Sequence, residues 1–222
     1  MTTPARIGAL HALVGSIDPT QAAFSRAWPE ADLAHVMDGS LYLDRSRGTA
    51  DTAEITRRIG RLIEHSAACG VAGILFTGSF FGASVRAVRD TVSVPVLTSF
   101  EGIVETALML AQPLCVLSTA PDSTTLLVEE LETTAAARSL PLSVIGDVVP
   151  GAMDALVAGR YDEHDRLVLE AIGARSDERA VVLAQFSMER VIDHARGAVS
   201  VPVLGPATEA ASRLRDILAH GA

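Results

Sequence analysis

Two short polar segments, residues 77–79 and 185–187, carry the groups best suited to hold a small acid. The first begins TGSFFG, the second lies in AQFSM, and each follows a run of apolar residues. Hydroxyl groups, a side-chain amide and the unpaired backbone N–H groups of a turn are hydrogen-bond donors, so they can bind a carboxylate without any lysine. Position 185 is position 78 plus 107, which suggests that the two segments are equivalent parts of a repeat.

A second pair of polar positions, His11 and Ser118, has the same separation and also lies at the end of apolar runs. Imidazole titrates near neutral pH, which makes His11 the candidate proton carrier. Ser118 and the adjacent Thr119 are predicted to donate hydrogen bonds to a substrate. A histidine beside an apolar strand is more often structural, so both interpretations of His11 stay open. The histidines at 35, 65, 164, 194 and 220 lack a ligand spacing, and we predict no metal.

The same offset of 107 recurs along the chain, which indicates an internal duplication. VSVPVL occurs at 92–97 and again at 199–204, and ILFT at 74–77 matches VVLA at 181–184. Short, continuous apolar runs of this kind are typical of parallel strands buried on both faces. Segments with helical apolar spacing separate them, so the order strand, helix, strand, helix is repeated in each half.

The predicted fold is therefore α/β, with two pseudo-symmetric halves that are each a doubly wound, flavodoxin-like parallel sheet. We assign residues 1–98 and 206–222 to the first half, where the C-terminal helix can pack back, and residues 99–205 to the second. Ligands of open parallel sheets bind beyond the carboxyl ends of the strands. The site is therefore predicted to lie between the halves, where the paired strand ends meet.

Composition limits the classes of partner. The 222 residues are 49% hydrophobic and carry a net charge of −9, which argues against nucleic acid or an anionic membrane. All 18 basic residues are arginine, which excludes a Schiff-base lysine and a phosphate loop that needs lysine. Cys69 and Cys115 are too few for a disulfide framework, and we expect both in the core of a cytoplasmic protein. The apolar N-terminal segment is interpreted as a strand and not as a signal peptide.

With ILFTGSFFG in one half and VVLAQFSM in the other, the chain resembles the aspartate/glutamate (Asp/Glu/hydantoin) racemase superfamily over essentially its full length. The resemblance implies a site between two α/β halves, no cofactor and a possible homodimer. Racemases of this superfamily place one cysteine at each paired strand end, one to remove a proton and one to return it. The matching positions here are Gly78 and Gln185, and neither side chain carries a transferable proton.

A partial likeness to arylmalonate decarboxylases points to a different use of the site. Those enzymes have glycine at the first position and cysteine at the second, and Thr77, Gly78 and Ser79 resemble their carboxylate cradle. The second cysteine is replaced here by Gln185. Whether Gly78 is natural or an introduced loss of a cysteine stays open.

We therefore predict an isomerase or lyase that acts at the carbon next to the carboxylate of a small acid, without the two-cysteine mechanism. The alternative is a catalytically silent or disabled relative that binds a small dicarboxylate or a hydantoin-like ligand. Residues 38–48 are expected to form a surface loop over the cleft. The predicted catalytic positions are His11, Gly78 and Gln185. The predicted substrate-binding residues are Thr77, Ser79, Phe80, Ser118, Thr119, Phe186, Ser187, Tyr42 and Arg45.

Overall fold

A computed structural model describes residues 4–175 and 179–220 of the chain, and these form two four-stranded parallel sheets. The first sheet has the order β2-β1-β3-β4 and consists of β1 (Arg6–His11), β2 (Asp32–Met37), β3 (Gly73–Phe76) and β4 (Val96–Leu97). The second has the order β6-β5-β7-β8 and consists of β5 (Leu114–Ser118), β6 (Val144–Val148), β7 (Ala180–Leu183) and β8 (Val203–Leu204). The predicted α/β class with two doubly wound halves is confirmed.

Helices connect the strands and cover both faces of each sheet. The first half of the sequence contains α1 (Ile17–Ala27), α2 (Gly39–Arg47), α3 (Thr52–Ala68), α4 (Gly82–Val88) and α5 (Glu101–Met109). The second contains α6 (Pro121–Ala137), α7 (Ala152–Val157), α8 (Tyr161–Ala174), α9 (Ile192–Ala198) and α10 (Pro206–His220). Short 3₁₀ turns follow β3 and β7, at Ser79–Phe81 and Phe186–Val191. None of the described helices is long and apolar enough to cross a bilayer.

The duplication is visible in the strand bounds. Shifted by 107 residues, β3 coincides with β7 and β4 coincides with β8. The offset fails at β6, which begins later than β2 predicts. The reason is that α6 has 17 residues whereas α1 has 11, so the second half carries a longer helix between its first two strands.

Two local expectations were wrong. Residues 38–48 form α2 and not a loop, because the Asp38 side chain accepts a hydrogen bond from the Ser40 N–H and Gly48 ends the helix in the left-handed conformation (φ 64°). Cys69 is not in the core: it is the exposed C-cap residue of α3. Cys115 is buried in β5, as expected.

Each sheet is covered on one face by a helix that follows the last strand of the other sheet. Helix α5 follows β4 of the first sheet but packs its apolar face on the second sheet, in a cluster that includes Leu114, Val116 and Val182. Helix α10 follows β8 of the second sheet but packs on the first, against Ile7 and Leu75. The domain boundaries at 98/99 and 205/206 stay a prediction, and residues 1–3 and 221–222 lie outside the described residues.

The exchanged helices cross at a glycine. A Cβ atom on Gly102 of α5 would lie 2.6 Å from the backbone nitrogen of Ala210 in α10 and 2.7 Å from its Cα. Any larger side chain at Gly102 would therefore collide with the main chain of the other helix. The crossing holds the two halves at close range, and this positions the strand ends that face each other.

Candidate active site

A cavity of about 50 Å³ lies where the carboxyl ends of β1, β3 and β7 meet. Its volume exceeds the roughly 10–15 Å³ that one water needs, so it has room for a few solvent molecules or a small acid. Both halves contribute to the wall, and the two positions of the repeat, Gly78 and Gln185, line the same cavity. The lining residues are Ala12, Leu13, Ser16, Tyr42, Thr77, Gly78, Ser79, Phe80, Phe81, Met153, Gln185, Phe186 and Ser187.

The space beside Gly78 is filled by two phenyl rings. A Cβ atom at this position would lie 2.6 Å from Cδ2 of Phe81 and 2.9 Å from Cε1 of Phe76. The two rings pack edge to face, with centroids 5.7 Å apart, and both are buried. The surroundings of Gly78 are thus fitted to glycine, and a side chain added there requires the Phe81 ring to move.

The amide of Gln185 is held firmly from one side. Its Oε1 accepts hydrogen bonds from the backbone N–H of Thr119 (2.5 Å) and from the Thr119 hydroxyl (2.8 Å). Among residues 4–175 and 179–220 no hydrogen-bond partner of its Nε2 is found. Because the oxygen is fixed on Thr119 and the residue lines the cavity, its NH₂ group is the donor that Gln185 can offer to a ligand.

Three polar side chains form a buried triangle at one end of the cavity. Nδ1 of His11 lies 2.9 Å from Oγ of Ser16 and 3.0 Å from Oγ1 of Thr77, and the two hydroxyl oxygens are 3.1 Å apart. Ser16 and Thr77 line the cavity, whereas His11 lies behind them and is fully buried. Burial, and secondly the neighbouring imidazole of His35, lower the pKa of His11 to about 3. The imidazole is therefore neutral at physiological pH.

Residues of two turns, one after β3 and one after β7, line the cavity from both halves. In the described part of the chain no acceptor is found for the N–H groups of Gly78, Ser79 and Phe80, which lie in the turn after β3. The same holds for the equivalent turn after β7, at Phe186 and Ser187. First-turn N–H groups lack an intrahelical partner and carry a partial positive charge, so both turns are suited to an anion.

Four residues predicted for the site, His11, Ser118, Thr119 and Arg45, do not line this cavity, and their contact with a ligand stays a prediction. His11 lies behind the hydroxyls of Ser16 and Thr77. The Ser118 hydroxyl, fully buried, donates to the carbonyl of Ala120 (2.6 Å). The backbone N–H and the hydroxyl of Thr119 both donate hydrogen bonds to Oε1 of Gln185. The polar side-chain groups of these three residues form hydrogen bonds with neighbouring protein groups.

Arg45 is the fourth residue that does not reach the cavity. Its guanidinium lies 4.2 Å from the centre of the Phe80 ring and forms an ion pair with Asp122 (3.2 Å) on α6. Arg45 therefore covers the outer face of a wall residue and ties the two halves together. The remaining predicted residues line the cavity, and their roles stay predictions: Tyr42, Thr77, Gly78, Ser79, Phe80, Gln185, Phe186 and Ser187.

Sequence reasoning missed the other wall residues. The repeat could have identified Ser16, because position 16 plus 107 is Ser123, which is also a serine. In the structure Ser123 forms a 3.1 Å hydrogen bond with Ser79 of the other half. Met153 had no such signal, because it follows β6, where the repeat offset is lost. Ala12, Leu13 and Phe81 have apolar side chains that a sequence pattern cannot separate from the core.

The wall contains no arginine, histidine, aspartate, glutamate or cysteine. A ligand in this cavity therefore meets dipoles and aromatic rings, and no formal charge. Within residues 4–175 and 179–220 no group of three or more His, Cys, Asp or Glu side chains is placed to hold a metal ion. The chemistry open to the cavity is hydrogen bonding to an anion or carbonyl, with hydroxyls that have a neutral imidazole behind them.

Solved structures with the same fold include several racemases. Allantoin racemase from Klebsiella pneumoniae superposes with a TM-score of 0.72 at 17% identity, covering 98% of this chain and 89% of that one. Glutamate racemase from Bacillus anthracis gives 0.72 at 15% identity, with 99% and 83% covered. Aspartate racemase from Picrophilus torridus gives 0.72 at 12% identity, with 97% and 94% covered.

No protein-family profile matches the sequence, and a search of curated proteins found none similar to it. At these identities the structural likeness shows a shared fold: two four-stranded parallel sheets with surrounding helices, arranged as in the racemases.

Proposed function

We propose that the protein is a cofactor-independent enzyme of the racemase superfamily, an isomerase or a lyase, that acts at the carbon next to the carboxylate of a small acid. The observation that carries the proposal is the shared cavity, where residues 77–81 of one half face residues 185–187 of the other. The racemase-like fold supports the same class of enzyme. The ligand expected there is a small carboxylic acid.

The chemistry follows from the donors around the cavity. Loss of a proton or of CO₂ next to a carboxylate leaves an enediolate, whose negative charge must be stabilised. The Gln185 NH₂ group, the hydroxyls of Thr77 and Ser79, and the N–H groups of both turns supply preorganised donors for that charge. Fixed donors in a site without bulk water are often the largest contribution to such a reaction.

Proton movement must take a different route from the two-cysteine mechanism. Cys69 lies at the end of α3, which leads into the opposite end of β3, and Cys115 is buried within β5. Neither thiol lines the cavity. The hydroxyls of Ser16 and Thr77, each within 3.0 Å of the His11 ring, are the groups that can receive or deliver a proton there.

The experiment is a screen in D₂O. The chain is incubated with amino acids, 2-substituted malonates, small dicarboxylates and hydantoins, and proton NMR follows exchange of the hydrogen next to the carboxylate while a separate assay follows CO₂ release. We expect turnover of at least one acid, and at least a ten-fold loss of kcat in Thr77→Val, which keeps the shape but removes the hydroxyl. Thr125→Val, on an exposed face of α6, is the control. The proposal fails if no acid reacts.

The second candidate is a silent relative that binds a small dicarboxylate or hydantoin-like ligand, and the thiol-free cavity favours it. Gly78→Cys alone is a poor test, because its Cβ would collide with Phe81. We therefore pair it with Phe81→Leu, and use Phe81→Leu alone as the control. Turnover gained only in the double variant, from a chain that binds the acid without reaction, would favour the silent relative.

A further inference from the structure

A continuous row of hydrogen bonds joins the cavity to the surface of the first half. Nε2 of His11 lies 2.9 Å from Nδ1 of His35, and Nε2 of His35 lies 3.1 Å from Oε1 of Gln21. The two imidazole rings are stacked, with centroids 5.1 Å apart and an interplanar angle of 29°. His11 is fully buried, His35 is half-buried and Gln21 is exposed, so the row runs outward from Ser16 and Thr77.

The partners determine the direction of these hydrogen bonds. The Gln21 amide oxygen can only accept, so Nε2 of His35 carries a hydrogen and Nδ1 of His35 is left as an acceptor. That acceptor requires a hydrogen on Nε2 of His11, which leaves Nδ1 of His11 as a lone pair facing the cavity hydroxyls. Each hydroxyl also has a carbonyl acceptor, Leu13 at 2.7 Å from Ser16 and Leu10 at 3.2 Å from Thr77. We therefore assign Thr77, whose carbonyl contact is the longer, as the donor to His11, and the row is oriented from the cavity to the surface.

We propose that His35 is a positioning residue that makes His11 part of a proton relay between the cavity hydroxyls and solvent at Gln21. The inference rests on the proposed function, because it supplies the route by which that reaction gains or loses its proton. Neither imidazole reaches the cavity, so neither is a catalytic residue; both act through Ser16 or Thr77.

The relay is balanced at every bond. When a hydroxyl accepts a proton from the substrate carbon, its own hydrogen passes to Nδ1 of His11. The hydrogen on Nε2 of His11 passes to Nδ1 of His35, and the hydrogen on Nε2 of His35 leaves to water beside Gln21. Each group gains one proton and loses one, so no imidazolium forms. Delivery of a proton to the carbon runs the same transfers in reverse and restores both tautomers.

The surroundings of the two imidazoles favour proton transfer in which neither ring becomes positively charged. His11 is surrounded by neutral groups, and the pKa of His35 is lowered by burial, which outweighs the opposing charge of Asp18 on α1. Asp18 is the acidic residue in the first turn of α1, and the hydrogen-bond partners of the two rings, besides each other, are the hydroxyls of Ser16 and Thr77 and the Gln21 amide. The imidazolium form of His11 is therefore disfavoured, whereas a concerted proton transfer through neutral rings is not.

The first test needs no substrate. In ¹⁵N-histidine-labelled protein, NMR should show both rings neutral at pH 7, with a nitrogen–nitrogen coupling across the His11 to His35 hydrogen bond. The hydrogen on Nε2 of His11 should exchange with water in spite of its burial, and His35→Phe should slow that exchange at least ten-fold. Absence of the coupling, or exchange that is unchanged in the variant, would overturn the relay.

The second test separates proton passage from ring orientation. His35→Asn retains an oxygen that can accept from His11 but has no second nitrogen to pass the proton on, whereas His35→Phe removes both functions. In the reactive chain we expect kcat to fall at least ten-fold in both variants, with KM within two-fold. Recovery of kcat in His35→Asn would show that His35 only orients His11, and the relay would be rejected. If the unmodified chain turns over no acid, the proposed function fails and the exchange measurement alone decides on the relay.

Discussion

Acid should destabilise this protein through His11, and the size of the effect follows from its burial. The pKa of His11 is lowered from 6.5 to about 3, so between these values the unfolded chain binds a proton that the folded chain excludes. The stabilising contribution is complete above pH 6.5 and is lost as pH falls. The slope is about 1.4 kcal/mol per pH unit, which amounts to roughly 2 kcal/mol at pH 5 and about 5 kcal/mol near pH 3.

The perturbation that isolates this term is His11→Asn, whose amide can still bond to Ser16 and Thr77 but does not titrate. The variant will be less stable at pH 7, since it leaves space in the core, but the difference from the unmodified chain should shrink as pH falls from 6.5 to 4. The difference also cancels the contributions of buried carboxyls such as Glu189, whose pKa is raised by burial and which act in the opposite direction.

The assay is urea unfolding, followed by circular dichroism at half-unit steps between pH 7.5 and 4, with the free energy of unfolding taken from each curve. His194→Asn, which removes an exposed histidine on α9, is the matched control for composition. If the free-energy difference between His11→Asn and the unmodified chain stays constant over the whole range, His11 is not held neutral by burial and the account of the triangle is refuted.

Three further variants test the packing around the cavity and the crossing of the exchanged helices. Gly102→Ala should destabilise the fold by about 3 kcal/mol or more in urea unfolding, because its Cβ would lie 2.6 Å from the main chain of α10; unchanged stability would refute the close crossing. Gln185→Leu should cost about 1–3 kcal/mol, since it leaves the Thr119 N–H without its acceptor, and calorimetry should show weaker binding of small acids. Gly78→Ala should lower the free energy of unfolding by about 1–3 kcal/mol, and with it the melting temperature, because the added Cβ displaces the Phe81 ring; unchanged stability would show that the ring moves freely.

The repeat made most of the fold predictable from the sequence. An offset of 107 residues predicted that β3 is equivalent to β7, and β4 to β8, in the two halves. It did so because buried parallel strands have a short, continuous apolar pattern that survives sequence divergence. The same offset placed Gly78 and Gln185 at one cavity. Helix α2 was not predicted, because its segment is polar; the capping residues Asp38 and Gly48 are the sequence signal for it.

Side-chain direction was the part that the sequence could not supply. His11 and Ser118 both lie at strand ends, yet neither lines the cavity, because both are fully buried and bond to neighbouring side chains or carbonyls. The partner of His11 was also hidden: His35 is on β2, paired in register with Ala9, and only sheet order brings the rings together. The hydrogen bond between His11 and His35 therefore depends on the pairing of β1 with β2, which no local sequence motif indicates.

The helix exchange has a consequence for how the molecule comes apart. Cutting the chain between α5 and β5 would separate each sheet from the helix that covers one of its faces, so neither portion would keep a closed interior. Melting should consequently occur in one step, with no species in which a single lobe survives. Because both sheets contribute to the wall of the cavity, we expect a small molecule to enter by movement of residues at its rim, and not by separation of the two sheets.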